Sequence, residues 1–203
     1  MTCLVPLTRI DTFNPLSILA DGWDLIIEPD SEREGVNKTR NKLFEKAINA
    51  GAEFIRFADD DDIVLPHRQI ALNELTNPNI DVVYFDYLYD NKGQVNRYEF
   101  SGDLLQDASY SPPPWTFVVK TKSLNGKCPF DQRLPAVREG GYAFFEMIKM
   151  GLKFKHMPFP AYHWIKSDID GLHLNPFSND ILFKLQLDIL TWSKSHDLPR
   201  SSN

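Results

Sequence analysis

Short apolar runs of strand length alternate with segments of helical period from residue 3 to residue 88, and this alternation limits the fold more than any other feature of the chain. Cys3-Leu4-Val5 is a short buried strand ending in a turn at Pro6, and residues 23–28 (WDLIIE) form a second strand closed by Pro29-Asp30-Ser31. Residues 36–50 are helical: Leu43 lies over Ala47 and Phe44 over Ile48 at i, i+4, and Gly51 ends the pattern. Residues 53–58 are a third strand, residues 66–75 a helix with Ile70, Ala71 and Leu75 on its apolar side, and residues 81–88 a fourth strand. Asp90-Asn91-Lys92-Gly93 reads as a hairpin turn into residues 95–100. Strands separated by helices imply an α/β chain with a mainly parallel central sheet flanked by helices. Ligands of such sheets bind beyond the carboxyl ends of the strands.

The later half is more mixed. Pro112-Pro113-Pro114-Trp115 leads into a strand at 116–120, residues 139–150 form a helix marked by Tyr142, Phe145 and Ile148, and residues 154–157 form a short strand. Residues 179–196 carry Ile181, Leu182, Leu185, Ile189, Leu190 and Trp192, an amphipathic helix capped by Ser178. At 203 residues the chain suits one domain with a sizeable core. Its net charge of −6 argues against a protein that wraps a nucleic-acid backbone. Two cysteines, Cys3 and Cys128, give no disulfide framework and no metal-binding spacing, so free thiols in a reducing compartment are expected. The apolar run at the N-terminus is too short for a signal peptide, and no window has the length of a membrane span. A cytoplasmic protein with no membrane span is the resulting expectation.

The third strand delivers Arg56-Phe57-Ala58-Asp59-Asp60-Asp61-Asp62-Ile63-Val64-Leu65-Pro66, four adjacent carboxylates between two apolar runs. Mn²⁺ or Mg²⁺ prefers such oxygens, and Mg²⁺ takes one or two carboxylates and completes its shell with water and substrate phosphate. A nucleoside diphosphate is the matching ligand. A solvated acidic turn leading into the next helix is the plainer alternative.

Three segments in order resemble the inverting, family 2 type of nucleotide-sugar glycosyltransferase. They are Gly35-Val36-Asn37-Lys38-Thr39-Arg40-Asn41; Phe57-Ala58-Asp59-Asp60-Asp61-Asp62 with Leu65-Pro66, similar to that family's DXD motif; and Phe130-Asp131-Gln132-Arg133-Leu134-Pro135 followed by Glu139. The resemblance covers about residues 2–165. It implies a GT-A (Rossmann-like) fold with a smaller acceptor-side part. It also implies one domain over 1–203: about 1–100 for the nucleotide sugar, about 101–175 for the acceptor, and 176–203 as a C-terminal helix. By the same resemblance Pro6, Thr8, Arg9, Glu28, Asp30, Lys38, Arg40, Asp59 and Asp60 fall on the nucleotide-sugar side. Asp61, with Asp59 and His163, would hold the metal, and Glu139 would be the general base. Trp115 and Tyr142 fall on the acceptor side, though packing serves an aromatic such as Trp115 or a His such as His163 equally well.

The direct chemistry behind Glu139 is that displacement at an anomeric carbon needs a carboxylate to take the incoming hydroxyl's proton. Gly140 stands where the family's second acid is usual, an expected loosening of the helix start. Two other functions stay open. One is transfer to a modified DNA base, with Lys38, Arg40, Lys42, Lys120, Lys122 and Lys127 as a basic rim; the other is a non-catalytic nucleotide-sugar-binding module. The acceptor, whether glycan, small molecule or modified nucleic acid, is unspecified by these residues.

Overall fold

The computed structural model describes residues 1–7, 13, 15–30, 35–61, 63–91, 93–133, 139–165 and 178–196. Its strands are β1 (Thr2–Leu7), β2 (Asp24–Pro29), β3 (Phe54–Phe57), β4 (Ile63–Val64), β5 (Val82–Asn91), β6 (Gln94–Tyr98), β7 (Phe117–Lys120) and β8 (Phe154–Trp164). The helices are α1 (Leu16–Ala20), α2 (Val36–Asn49), α3 (Arg68–Leu75), α4 (Leu104–Ser109), α5 (Glu139–Lys149) and α6 (Ser178–Ser195). The strands form a single sheet in the order β2-β1-β3-β7-β5-β8-β4, with β6 paired to β5. β1 is parallel to β2 and β3, and β5 is parallel to β8. β7 runs antiparallel between β3 and β5, so β3 and β5 point the same way. The mainly parallel α/β sheet expected from the alternation is thus present, with β4, β6 and β7 reversed.

Period-2 alternation explains why both faces of the sheet are covered. Leu4, Ile55, Phe57, Val82, Tyr84, Phe117 and Val119 join Leu43, Phe44, Ala47, Phe144 and Leu185 in one core cluster, beneath α2, α5 and α6. Cys3, Val5, Val83, Phe85 and Val118 face the opposite side, where they meet Ile18, Ala71 and Leu75 of α1 and α3.

Several boundaries move from their expected places. Pro6 lies inside β1 and does not end it. Leu4 O accepts from Ala58 N on the β3 side, so Pro6, two residues on, faces that same side beyond the last β1–β3 pair, where its missing N–H leaves no ladder bond unmade. β8 extends to Trp164 and pairs with β4, a two-residue strand too short to leave a pattern. α3 starts at Arg68, because Asp21 Oδ2 at the end of α1 accepts from both His67 N (3.0 Å) and Arg68 N (2.9 Å). Ile48 and Ile70, expected on apolar faces, are exposed. Ser178 is the first residue of α6, not a cap before it. Both cysteines are free, with Cys3 buried in the core. Among the described residues no helix is long and apolar enough to cross a membrane.

Candidate active site at the carboxyl edge of the sheet

The chain leaves β1 toward β2 and returns through α2 to β3 on the other side of β1. The carboxyl ends of β1, β2 and β3 therefore flank a point where the winding reverses, the place where α/β sheets bind ligands. Asp59, Asp60 and Asp61 follow β3 at this edge. Asp59 N donates to Tyr162 Oη (3.0 Å), and Tyr162 stacks on Trp115 at 4.1 Å with an interplanar angle of 11°. The first aspartate of the turn is thus pinned by an aromatic pair from β8 and the segment before β7.

Gly35 starts α2 with φ +101, a conformation that favours glycine. One turn on, Arg40 is 1% exposed and joins two carboxylates: Nη1 donates to Glu139 Oε1 (2.8 Å) and Nη2 to Asp59 Oδ1 (3.0 Å). Its guanidinium also lies over the Phe130 ring, 5.0 Å from the centroid. Asn41 Nδ2 donates to Phe130 O (2.9 Å), which ties α2 to the segment before α5. Burial opposes the charge on Arg40, but Glu139 and Asp59 outweigh it and hold the pKa above the ordinary arginine value. Burial raises the Asp59 pKa; Arg40 opposes this, and the nearby Glu139 and Asp60 add to it.

A second buried cation, Arg56, supports the same edge from the other face of the sheet. Nη1 reaches His67 Nε2 (2.7 Å) and Nη2 donates to Trp115 O (3.0 Å). His67 Nδ1 lies 2.6 Å from Leu65 O, which can only accept, so Nδ1 carries the proton and Nε2 accepts from Arg56. Burial, and then Arg56, hold the His67 pKa well below 6.5, consistent with a neutral ring.

The expected site residues divide into groups. Arg40, Asp59 and Glu139 are brought into direct contact, with Asp60 buried and Asp61 half-buried in the same turn. Pro6 and Glu28 are register partners at the ends of β1 and β2, and Glu28 forms an ion pair with Lys46. Asp30 N bonds Leu7 O beside them, and Lys38 is exposed on the first turn of α2. Thr8, Arg9 and Asp62 lie outside the described residues. Trp115 is buried beneath the aspartate turn, and Tyr142 lies one turn into α5. His163 Nε2 is 3.2 Å from Asp90 Oδ1 of β5. Among the described residues, no three His, Cys, Asp or Glu side chains cluster as ligands for a metal. The contacts of Tyr162 and Phe130 were missed by sequence reasoning because their partners Asp59 and Asn41 lie 103 and 89 positions away. The Arg56–His67 pair, 11 positions apart, was missed because no local pattern links β3 to the residue that precedes α3.

Gly140 does not loosen the helix start. A Cβ there would lie 2.1 Å from Pro112 O and 2.8 Å from Pro114 N, and one at Gly141 would lie 2.6 Å from Ser111 Cα and 2.7 Å from Leu185 Cδ2. The two glycines let the start of α5 seat directly on the 111–114 backbone, which leaves no room for a second acid. The basic rim is also incomplete: Arg40 is buried in its ion pairs, and Lys120 is buried with Nζ donating to Asn77 O (2.7 Å).

No family model matches the sequence, and no curated protein matches it. Solved structures do. The S. aureus TarS 1-349 structure in complex with UDP-GlcNAc superposes with a TM-score of 0.66 at 13% identity, over 93% of this chain and 64% of that one. The complex of TarS 1-349 with UDP gives a TM-score of 0.63 at 16% identity, over 96% of this chain and 72% of that one. A197 from STIV gives a TM-score of 0.50 at 14% identity, over 82% and 87%. At these identities the likeness establishes a shared fold, and in TarS that fold holds UDP-GlcNAc.

Proposed function

We propose that the chain is an inverting nucleotide-sugar glycosyltransferase that takes a UDP-sugar as its first candidate donor and requires Mn²⁺ or Mg²⁺. The observation that carries this reading is the Glu139–Arg40–Asp59 bridge at the carboxyl edge of the sheet. Oε1 of Glu139 is held by Arg40, and Oε2 has no partner among the described residues. The carboxylate is therefore fixed in place with one oxygen ready to take a proton.

In the reaction so assigned, Glu139 Oε2 accepts the proton of an acceptor hydroxyl as that oxygen bonds to the anomeric carbon. The bond from that carbon to the diphosphate oxygen breaks, and the electron pair leaves with the nucleoside diphosphate. Attack opposite the leaving group inverts the anomeric centre. Arg40 holds Glu139 and Asp59 in a fixed relation, so the proton acceptor and the donor-side carboxylates keep their spacing. A hard cation at this turn would be held by the half-buried Asp61 carboxylate beside Asp59, with water and the diphosphate completing its shell, and His163 lies against Asp90. When bound, the cation would neutralise the developing charge on the diphosphate.

Glu139→Gln tests the reading. Its carbonyl keeps an acceptor for Arg40 and loses the base, so transfer is expected to fall by about 10² to 10⁴ while UDP binding persists. Equal turnover in the two proteins would remove Glu139 from the mechanism. The packing at Gly140 accounts for the missing second acid, so that absence does not favour a non-catalytic module.

A further inference from the structure

α6 has two apolar faces, and the core uses only one of them. Leu185 is 0% exposed and Ile189 5%, with Ile181 and Trp192 packed half-buried beside them, so this stripe seats the helix. On the opposite side Phe183 is 69% exposed, Leu187 50% and Leu190 47%. A single exposed apolar residue needs no explanation, but three at i, i+4 and i+7 make a continuous stripe. Asp180 and Lys194, both exposed, extend that stripe at its two ends. The five residues are spaced three, four, three and four apart, the pattern of a coiled-coil seam whose partner is another helix. Neither Asp180 nor Lys194 has an ion-pair partner among the described residues.

The charges of the outward side select the partner. Asp180 and Asp188 offset Lys184 and Lys194, and the chain's net charge is −6. The face therefore lacks the basic flanks that hold an amphipathic helix to an anionic membrane. Asp180 and Lys194 lie one heptad on either side of Leu187, about 10.5 Å along the axis in each direction. A second α6 laid antiparallel, about a two-fold axis at Leu187, sets Asp180 of each helix opposite Lys194 of the other. The same operation brings Phe183, about 6 Å to one side of Leu187, opposite Leu190, about 4.5 Å to the other side. A parallel copy would instead place Asp180 against Asp180 and Lys194 against Lys194, like charges that repel. Gln186, Thr191 and Ser193 flank the seam without charge. Because α6 is already folded on the core, association does not have to supply the cost of forming the helix.

We infer that the outward face of α6 is a self-association surface that pairs the chain with a second copy. Phe183, Leu187 and Leu190 form its antiparallel seam, and Asp180–Lys194 ion pairs close both ends. The inference stands whether or not the chain transfers a sugar.

Sedimentation equilibrium of the full chain, from micromolar to submillimolar concentration, is the test, and a reversible monomer–dimer equilibrium is expected. Leu187→Glu sets a carboxylate against its own copy on the two-fold axis and should leave the chain monomeric over the same range. Leu187 is exposed in the single chain and Glu is a good helix former, so the melting temperature at the dilute end should not change. Loss of the dimer is then not loss of fold. Asp180→Lys alone and Lys194→Asp alone should each raise the dissociation constant about tenfold, since each turns two attractive pairs into repulsive ones. The two changes together should restore it to within about twofold. A chain that is monomeric at every concentration overturns the inference, whether it then binds phosphatidylglycerol vesicles or nothing. A dimer that survives Leu187→Glu, or one that the combined charge exchange fails to restore, overturns it as well.

Discussion

Arg40 has one guanidinium to satisfy two carboxylates from different parts of the chain, and its own burial makes that service difficult to replace. Arg40→Met would leave Glu139 and Asp59 facing each other without a counter-charge. A fall of about 3 kcal/mol in urea unfolding free energy is expected, together with loss of transfer. Arg40→Lys should restore part of the stability and little of the activity, since an ammonium lacks the planar fork that spans both acids. His67 gives a pH dependence with a defined sign. Folding holds it neutral, with a pKa well below 6.5, whereas the unfolded chain binds a proton there near pH 6.5. Stability is therefore complete above that value and declines as pH drops through and below it. Melting curves between about pH 5.5 and about pH 7.5, one unit either side of the ordinary histidine value, should show the decline, and His67→Gln should flatten it. At this scale the residue types were legible in the sequence: a carboxylate run after a strand, an arginine on the helix before it, and a glutamate opening a later one. Their contact was not, because Arg40 and Glu139 are 99 positions apart and nothing local encodes which acid an arginine will meet.

At the scale of elements, α2, β3 and β5 follow from periodicity, and they position half of the candidate site. α1, α4 and β4 escaped because five, six and two residues are too few to establish a period. β8 was read at a third of its length because its far part is held by β5, across register shifts, and by β4, pairings that leave no local pattern. The start of α5 shows how a departure from pattern can be mistaken for weakness. Gly140→Ala would push a Cβ into Pro112 O, so α5 must shift or the 111–114 segment must move. A loss of about 1–3 kcal/mol is expected in denaturant titration, and transfer should fall further than stability because Glu139 moves with the helix. Gly51→Ala, where a Cβ meets nothing within 4 Å, is the control: its cost is confined to the φ of +71.

For the molecule as a whole, the proposed donor site and the fold are one equilibrium. A nucleotide that binds only the folded state stabilises it by about 2.7 kcal/mol at a hundred times its dissociation constant. UDP with Mn²⁺ should raise the melting temperature, the chelated control should not, and Asp61→Ala should abolish the difference. Overall topology was partly legible: alternation gave the parallel strands, but the reversed β7 between β3 and β5 left no sign of its neighbours. That strand also sets an order in time. The chain is made from its N-terminus, and β3 and β5 emerge well before residues 117–120, so for that interval the middle of the sheet is missing a strand. The aspartate turn waits longer still, since Tyr162, which accepts from Asp59, lies 103 residues downstream. A nascent chain therefore displays its acidic turn and its unpaired strand edges before it can assemble the edge that would use them. Any competence to bind a nucleotide arrives late and all at once, with the return of β8.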